Sequence, residues 1–243
     1  DDECTDFAAI SGSPFSGRSR PQIVTATSIR VDFASDWSEV RPGFLAMYRP
    51  VGAQAPSFTC GQTGRLPGGW GEISDGPANY ENDQECEWII GSSGGSGVTL
   101  NFETFALETG WDNLYIDTCD DEACSSPQPV DGSPFTGSAV PSFRFFETDF
   151  LRIKLVTDES IVDAGFKLSY TAGPITDCEP NAVLSAEAGF IRERAGDYSN
   201  GMQCSWEIRG PSGLQTQLTF LEFWTERGWD LVDIEACASG ARR

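Results

Sequence analysis

Carboxylates flank two loops of the chain. Glu108 and Asp112 enclose the short loop of residues 109–111, and Asp158 begins a later loop. A calcium ion takes six to eight oxygen ligands, chiefly from carboxylates and backbone carbonyls, and uses neither nitrogen nor sulfur. These loops could therefore bind Ca²⁺. The alternative is that the three carboxylates lie on hydrated turns.

The sequence contains no histidine. Histidine is the commonest general base and a frequent metal ligand, so serine–histidine catalysis and histidine zinc sites are excluded. A serine–lysine pair, a lone cysteine nucleophile or a carboxylate pair would remain, and none of them has a local motif here. We therefore predict a protein that is not an enzyme.

The charge of the chain is strongly negative. Its 243 residues carry 37 acidic and 16 basic side chains, for a formal net charge of -21. This surplus repels phosphate backbones and anionic lipid headgroups, so we predict no nucleic-acid binding. The sequence has no run of about eighteen apolar residues, so we also predict no direct membrane insertion. Aromatic residues make up 12% of the chain, which indicates a globular protein with a buried core.

Eight cysteines indicate an oxidising compartment, because they are not gathered in a cysteine-and-histidine cluster. A four-cysteine zinc site is the weaker alternative, since only Cys119 and Cys124 form a close pair. The chain opens on Asp1 without a leader pattern. We expect a secreted chain or an extracellular part of a larger protein.

The sequence repeats with a period close to 120 residues. Eight residues recur 118 positions later. Tyr80, Cys86, Trp88 and Ile90 match Tyr198, Cys204, Trp206 and Ile208. Cys60, Trp111, Asp112 and Cys119 match Cys178, Trp229, Asp230 and Cys237. A second set recurs 120 to 122 positions later, with Cys4 matching Cys124, Asp36 matching Asp158 and Tyr48 matching Tyr170.

The two displacements divide the chain into parts. Residues 60–173 make one complete unit, residues 1–52 the second half of a unit, and residues 178–243 the first half of a unit. We hypothesise that the two half-units dock as one circularly permuted domain.

Alternating apolar residues predict β-strands. Val98, Leu100 and Phe102 alternate with other residues, as do Leu151, Ile153 and Leu155. A period of two is typical of half-buried strands, and clusters of Gly, Pro, Asp and Ser separate these runs. No segment has a sustained helical stripe. The pattern predicts an all-β fold, an antiparallel β-sandwich.

Together these features resemble the CUB domain. The matching features are Cys60 followed by Cys86 and Trp88, the Gly-Glu-Ile-Ser run at 71–74, Trp111-Asp112, the strand beginning at Leu151, and the closing Gly165-Phe166 with Tyr170. The resemblance covers nearly the whole chain. It implies an extracellular β-sandwich of the CUB-like jelly-roll type, present as a tandem repeat.

The resemblance also implies disulfides. Cys60 would pair with Cys86, and Cys178 with Cys204, each over 26 positions, which stabilises the fold by about 3 kcal/mol in the chain-entropy model. Cys119 and Cys124 would form another pair. Cys4 and Cys237 have each lost the neighbour of an intact unit, so they are either unpaired or close the permuted domain; we hypothesise the latter.

Calcium ligands follow from the same resemblance. In the complete unit they would be Glu108, Asp112 and Asp158, supported by Tyr80 and by backbone oxygen near Glu159 or Ser160. A split second site would use Glu226, Asp230 and Asp36, with Tyr198 in the place of Tyr80, and requires the half-units to dock.

The function implied is an extracellular, calcium-dependent, protein-binding module. Its partner would be an extracellular protein with exposed basic side chains. Trp111 and Trp229, which precede Asp112 and Asp230, either contact the partner or are buried anchors. One alternative is a non-catalytic ancillary region of a larger secreted protease or other enzyme. Another is a carbohydrate-binding or structural matrix module that uses the two tryptophans.

Overall fold

The structure is a computed structural model that describes residues 6–91 and 96–237. The described residues form strands and turns, without a helix. The strands are β1 Phe7–Ala9, β2 Val24–Ala26, β3 Ser28–Ala34, β4 Gly43–Val51, β5 Ser57–Phe58, β6 Gly64–Leu66, β7 Gly69–Ser74, β8 Glu85–Gly91, β9 Ser96–Ala106, β10 Asn113–Cys119, β11 Gln128–Pro129, β12 Arg144–Glu147, β13 Phe150–Val156, β14 Gly165–Thr176, β15 Ala182–Leu184, β16 Gly189–Arg192, β17 Gln203–Arg209, β18 Gln215–Trp224 and β19 Leu231–Cys237.

Two compact units divide the chain. The central unit comprises residues 54–174, and the composite unit comprises residues 1–53 together with residues 175–243. Each unit has its own cluster of buried hydrophobic residues.

Two sheets form the central unit. One has the strand order β11–β10–β13–β8–β6, and the other has the order β12–β9–β14–β7–β5. β13 lies in the middle of its sheet, and its alternate residues Leu151, Ile153 and Leu155 are fully buried. Successive side chains of a strand point to opposite faces, which explains why this alternation marks the core face. The predicted all-β sandwich is confirmed.

The composite unit has sheets of the same strand order. One is β1–β19–β3–β17–β15, and the other is β2–β18–β4–β16, followed by the last two residues of β14. β3 lies between β17 and β19, and β4 lies between β16 and β18. Strands from before and after the central unit are therefore interleaved in both sheets, and neither half contains a complete sheet.

A tryptophan lies at the centre of each core. Trp88 and Trp206 are fully buried, and their rings contact Phe166 and Phe44 with centroids 6.0 Å and 5.7 Å apart. Each indole N–H donates to a backbone carbonyl, which satisfies the one polar group of the side chain. Both tryptophans are therefore structural.

Disulfides join Cys60 to Cys86, Cys119 to Cys124 and Cys178 to Cys204. Cys237 is also disulfide-bonded, and Cys4, the partner hypothesised for it, lies outside the described residues. The described residues include no free cysteine, so the zinc-site alternative is wrong for them.

Candidate functional site

The central unit brings three carboxylates together. Glu108, Asp112 and Asp158 each place one carboxylate oxygen within 4.8 Å of the others. Glu108 and Asp112 lie between β9 and β10, and Asp158 follows β13. The start of β10 pairs with the end of β13, so the antiparallel register brings both loops to the same end of the sheet.

Asp112 is the buried centre of this cluster, which we call the central site. Its side chain is fully buried, and both oxygens accept hydrogen bonds, one from the Tyr80 hydroxyl at 2.5 Å and one from the Asp158 backbone N–H at 2.8 Å. The Tyr80 hydroxyl in turn accepts the Glu108 N–H at 3.0 Å. These bonds fix the two loops relative to each other.

Tyr80 remains a hydrogen-bond donor over a wide pH range. Burial, together with the hydrogen bond to Asp112, raises the pKa of Tyr80 to about 12. A neutral phenol beside a carboxylate donates its proton without adding negative charge. Tyr80 therefore positions Asp112, and its predicted supporting role in metal binding stays a prediction.

The Asp158 loop is also held by the backbone. The Asp158 carboxylate accepts the Ser160 N–H at 2.9 Å, and the Asp158 carbonyl accepts the Asp83 N–H at 2.7 Å. The Ser160 carbonyl, predicted as a ligand, stays a prediction.

Glu108 has an oxygen without a partner. Its Oε2 is buried and accepts no hydrogen bond. Burial and the nearby charges of Asp158 and Asp112 raise the pKa of Glu108. A bound cation would favour the ionised carboxylate and would supply the missing partner. The all-oxygen donor set and this unpartnered oxygen fit a calcium ion.

A second cluster, the composite site, has the same internal bonds. Asp36, Glu226 and Asp230 place carboxylate oxygens within 4.8 Å of one another. Asp230 is fully buried and accepts the Tyr198 hydroxyl and, at 2.8 Å, the Asp36 N–H. The Tyr198 hydroxyl accepts the Glu226 N–H at 3.0 Å. Asp36 comes from the segment before the central unit, and the other two acids come from the segment after it.

The two sites differ at the glutamate. Glu226 Oε2 accepts the Ser38 hydroxyl at 2.8 Å and the Glu39 N–H at 3.1 Å, whereas Glu108 Oε2 accepts nothing. A cation at the composite site must therefore compete with these donors for one oxygen of Glu226.

Exposed tryptophans lie beside both sites. Trp111 is 65% exposed and Trp229 is 66% exposed, so the alternative that they are buried anchors is wrong. Their contact with a partner remains a prediction. Sequence reasoning missed Trp37, which follows Asp36 and is 85% exposed, because this tryptophan has no counterpart in the repeat.

Within the described residues, no helix is long and apolar enough to cross a membrane.

Similar solved structures contain CUB domains. The MASP-1 CUB2 domain bound to Ca²⁺ aligns over 49% of this chain and 99% of that chain, with 26% identity and a TM-score of 0.36. The CUB1-EGF-CUB2 domain of human MASP-1/3 aligns over 69% of this chain and 99% of that chain, with 13% identity and a TM-score of 0.40.

Curated relatives are much longer than this chain. Cubilin from Sus scrofa is 26% identical over 218 residues, which cover 84% of this chain and 6% of that protein. Human cubilin is 30% identical over 169 residues, covering 66% of this chain and 4% of that protein. Ovochymase from Halocynthia roretzi is 25% identical over 256 residues, covering 93% of this chain and 16% of that protein. The chain spans between 4% and 32% of the length of the first relatives.

A family model described as the CUB domain matches residues 60–170, which lie within the central unit. The match includes the Cys60–Cys86 disulfide, the buried Trp88 and the strands that carry the central site. CUB domains are extracellular modules and are generally non-catalytic, and an extracellular setting agrees with the disulfides of this chain. The resemblance read from the cysteine, tryptophan and aspartate pattern is thus confirmed for residues 60–170, which match the CUB domain family.

Proposed function

We propose that this chain is a non-catalytic, calcium-dependent, protein-binding segment of the extracellular space. The observation that carries the proposal is the presence of the same carboxylate cluster in both units, with equivalent tyrosine and backbone hydrogen bonds. A set of solvated turns has no reason to bury one aspartate completely in each cluster.

At the central site, Glu108, Asp112 and Asp158 would hold the ion, and Tyr80 would hold Asp112. The backbone carbonyl of Ser160 would supply a further oxygen. Calcium supplies a divalent charge that offsets the mutual repulsion of the carboxylates. The residues of the chain do the positioning, because the hydrogen bonds of Asp112 already join both loops.

The partner is an extracellular protein with an exposed basic side chain. Three carboxylates around one divalent ion leave a net negative charge, which attracts a lysine or arginine. Trp111 and Trp229 are exposed next to Asp112 and Asp230, where they would add apolar contact area around that charge pair.

The composite unit is proposed to be a second, circularly permuted CUB-like domain. Its support is the strand order, which matches that of the central unit in both sheets. We further propose that Cys4 pairs with Cys237. The pair would occupy the place of Cys119 and Cys124, which the repeat displacements match to Cys237 and Cys4.

The non-catalytic role is supported by the state of the side chains that could serve as general bases. The chain has no histidine, and both of its lysines are in ion pairs, Lys154 with Glu85 and Lys167 with Glu72 and Glu103. Hydrogen bonds to Glu103 and Glu72 raise the pKa of Lys167, which makes this lysine a poor general base.

Calorimetric titration of the oxidised chain with Ca²⁺ tests the proposal through its stoichiometry. Two bound ions are expected, one for each site. A single ion would limit calcium binding to one unit, which variants at Asp112 and Asp230 would identify. The absence of any binding at millimolar Ca²⁺, the range of weak extracellular sites, would contradict the proposal.

A further inference from the structure

Trp37 is highly exposed, and its ring lies beside one glycine. Its side chain is 85% exposed, the highest value among the large apolar residues that the structure describes. Its ring lies against Gly201: a Cβ built on this glycine would be 2.9 Å from Trp37 Cη2. Gly201 has a φ of +71°, and its N–H donates to the Asp36 carbonyl at 2.7 Å.

The backbone around Trp37 is bonded on both sides. The Asp36 N–H donates to Asp230 at 2.8 Å, and the Ser38 N–H donates to the Asp36 carboxylate at 2.7 Å. An aromatic side chain that is already held in place loses little conformational entropy when a partner contacts it. Trp37 therefore presents an exposed ring, placed beside Gly201, on a backbone that hydrogen bonds hold on both sides.

The central unit lacks this arrangement. By the repeat displacements, Glu159 occupies the place of Trp37, and Asp83 occupies the place of Gly201. The backbone is the same, since Asp83 has a φ of 54° and its N–H donates to the Asp158 carbonyl at 2.7 Å. Tryptophan thus occurs where the opposing residue is glycine, and a side chain at that position would occupy the space of the ring.

An arginine already covers another tryptophan of the composite unit. The Arg18 guanidinium lies 3.7 Å from the centroid of the Trp224 ring. No arginine or lysine of the described residues lies over Trp37 in this way. The face of a tryptophan ring attracts cations, and the planar guanidinium of arginine stacks on it better than the ammonium of lysine does.

We infer that Trp37 is a specificity-determining residue of the composite site, where it stacks against an arginine of the partner protein beside the Asp36, Glu226 and Asp230 carboxylates. The ring supplies the stacking surface and the carboxylates supply the opposite charge. The inference rests on the proposed function, because it names the partner side chain of that same site. The central site, with Glu159 in this place, would not prefer arginine over lysine.

Indole N–H resonances of the nitrogen-15-labelled chain provide the test. The probe is the peptide acetyl-Gly-Gly-Arg-Gly-Gly-amide, added with Ca²⁺ present, beside matched peptides that carry lysine or the uncharged citrulline. The Trp37 signal, assigned by its loss in Trp37→Phe, should shift with the arginine peptide. Binding should be about fivefold weaker for the lysine peptide and weaker still for the citrulline peptide.

Matched variants separate this residue from the rest of the site. Trp37→Ala should weaken binding of the arginine peptide about fivefold and leave the number of bound Ca²⁺ ions unchanged. Trp111→Ala, in the central unit, is the control and should leave the Trp37 shift unchanged. Conversely, Glu159→Trp together with Asp83→Gly should create a new arginine-responsive indole signal in the central unit.

A Trp37 signal that does not move at millimolar peptide, or that moves equally with citrulline, would overturn the inference. Calorimetry on the same sample distinguishes this failure from that of the proposed function. Calcium bound with an unresponsive Trp37 contradicts the inference alone, whereas the absence of bound calcium contradicts the proposed function.

Discussion

The backbone N–H of Asp158 donates to the Asp112 carboxylate at 2.8 Å, so the later loop of the central site is bonded directly to a buried acid of the earlier loop. Replacing that acid should affect metal binding and loop order together. We predict that Asp112→Asn removes one Ca²⁺ from the calorimetric stoichiometry. We also expect it to destabilise the central unit by about 1–3 kcal/mol in denaturant titrations, because buried hydrogen-bond partners are left mismatched.

Asp230→Asn is the matched variant in the composite unit, since Asp230 accepts the equivalent bonds from Tyr198 and Asp36. It should remove the other ion and leave the central site intact. Unchanged calcium affinity in both single variants would contradict the assignment of these aspartates as ligands.

The two sites should differ in calcium affinity. Glu108 Oε2 has no hydrogen-bond partner, whereas Glu226 Oε2 accepts the Ser38 hydroxyl and the Glu39 N–H. Displacing a hydrogen bond costs about 1 kcal/mol, so we expect the central site to bind about fivefold more tightly. Calorimetry on Asp230→Asn isolates the central site and on Asp112→Asn the composite site. Tighter binding at the composite site would contradict this reading of the two glutamates.

Glu193 should make the composite unit less stable as the pH rises. The carboxyl group is buried and accepts the Phe44 N–H at 2.6 Å, and burial raises its pKa from 4.5 to about 8. The unfolded chain ionises first, so the stabilisation is complete below pH 4.5 and is lost as the pH rises through about 8. The loss over this range amounts to about 4 kcal/mol.

Glu193→Gln keeps an acceptor for the Phe44 N–H but cannot ionise. Its stability in urea should therefore depend much less on pH between 5 and 8 than that of the natural chain, by about 3 kcal/mol. Glu187→Gln, on an exposed turn of the same unit, is the control. Equal pH dependence in the natural chain and in Glu193→Gln would show that Glu193 ionises normally.

Gly165 should tolerate no side chain. It has a φ of +76°, and a Cβ there would lie 2.1 Å from the Asp75 carboxylate that accepts the Phe166 N–H. Gly165→Ala should destabilise the central unit by about 2–4 kcal/mol, from backbone strain and from the displaced carboxylate. Gly110→Ala is the matched control, because Gly110 has a φ of +84° and no atom within 4 Å of the added Cβ.

The control should cost only the strain, about 1 kcal/mol. Denaturant titrations without Ca²⁺ compare the two variants. Equal losses would show that the Asp75 contact contributes nothing and that left-handed backbone strain explains both substitutions.

The β-strands could be predicted from the sequence because the alternation of apolar residues that indicates a strand lies within the strand itself. Alternation in a segment such as Leu151–Leu155 depends only on the strand itself, and the displaced copies of Cys86 and Trp88 lie on strands with equivalent neighbours. The three acidic residues of the central site could also be predicted from the sequence. Glu108 and Asp112 are close in the sequence, and the family resemblance pointed to Asp158.

Two features that depend on residues distant in the sequence were missed by the sequence reasoning. The carboxylate of Asp75 occupies the space that a side chain at Gly165 would fill, and the ring of Trp37 occupies the space beside Gly201. Neither relationship is visible from one residue alone. Asp75 does recur 118 positions later, but as Glu193, so the change of residue type conceals the match. A search of the repeat for equivalent rather than identical residues would have found this pair.

The interleaved strands of the composite unit have a consequence for the order of folding. The bonded residues Ser35 and Met202 are 167 positions apart, whereas the equivalent Thr157 and Gln84 of the central unit are 73 apart. Longer loops lose more entropy on closure, and non-local contacts form more slowly. The central unit should therefore fold first and shorten the effective loop that the outer segments must close, which makes it an internal scaffold for assembly of the composite unit.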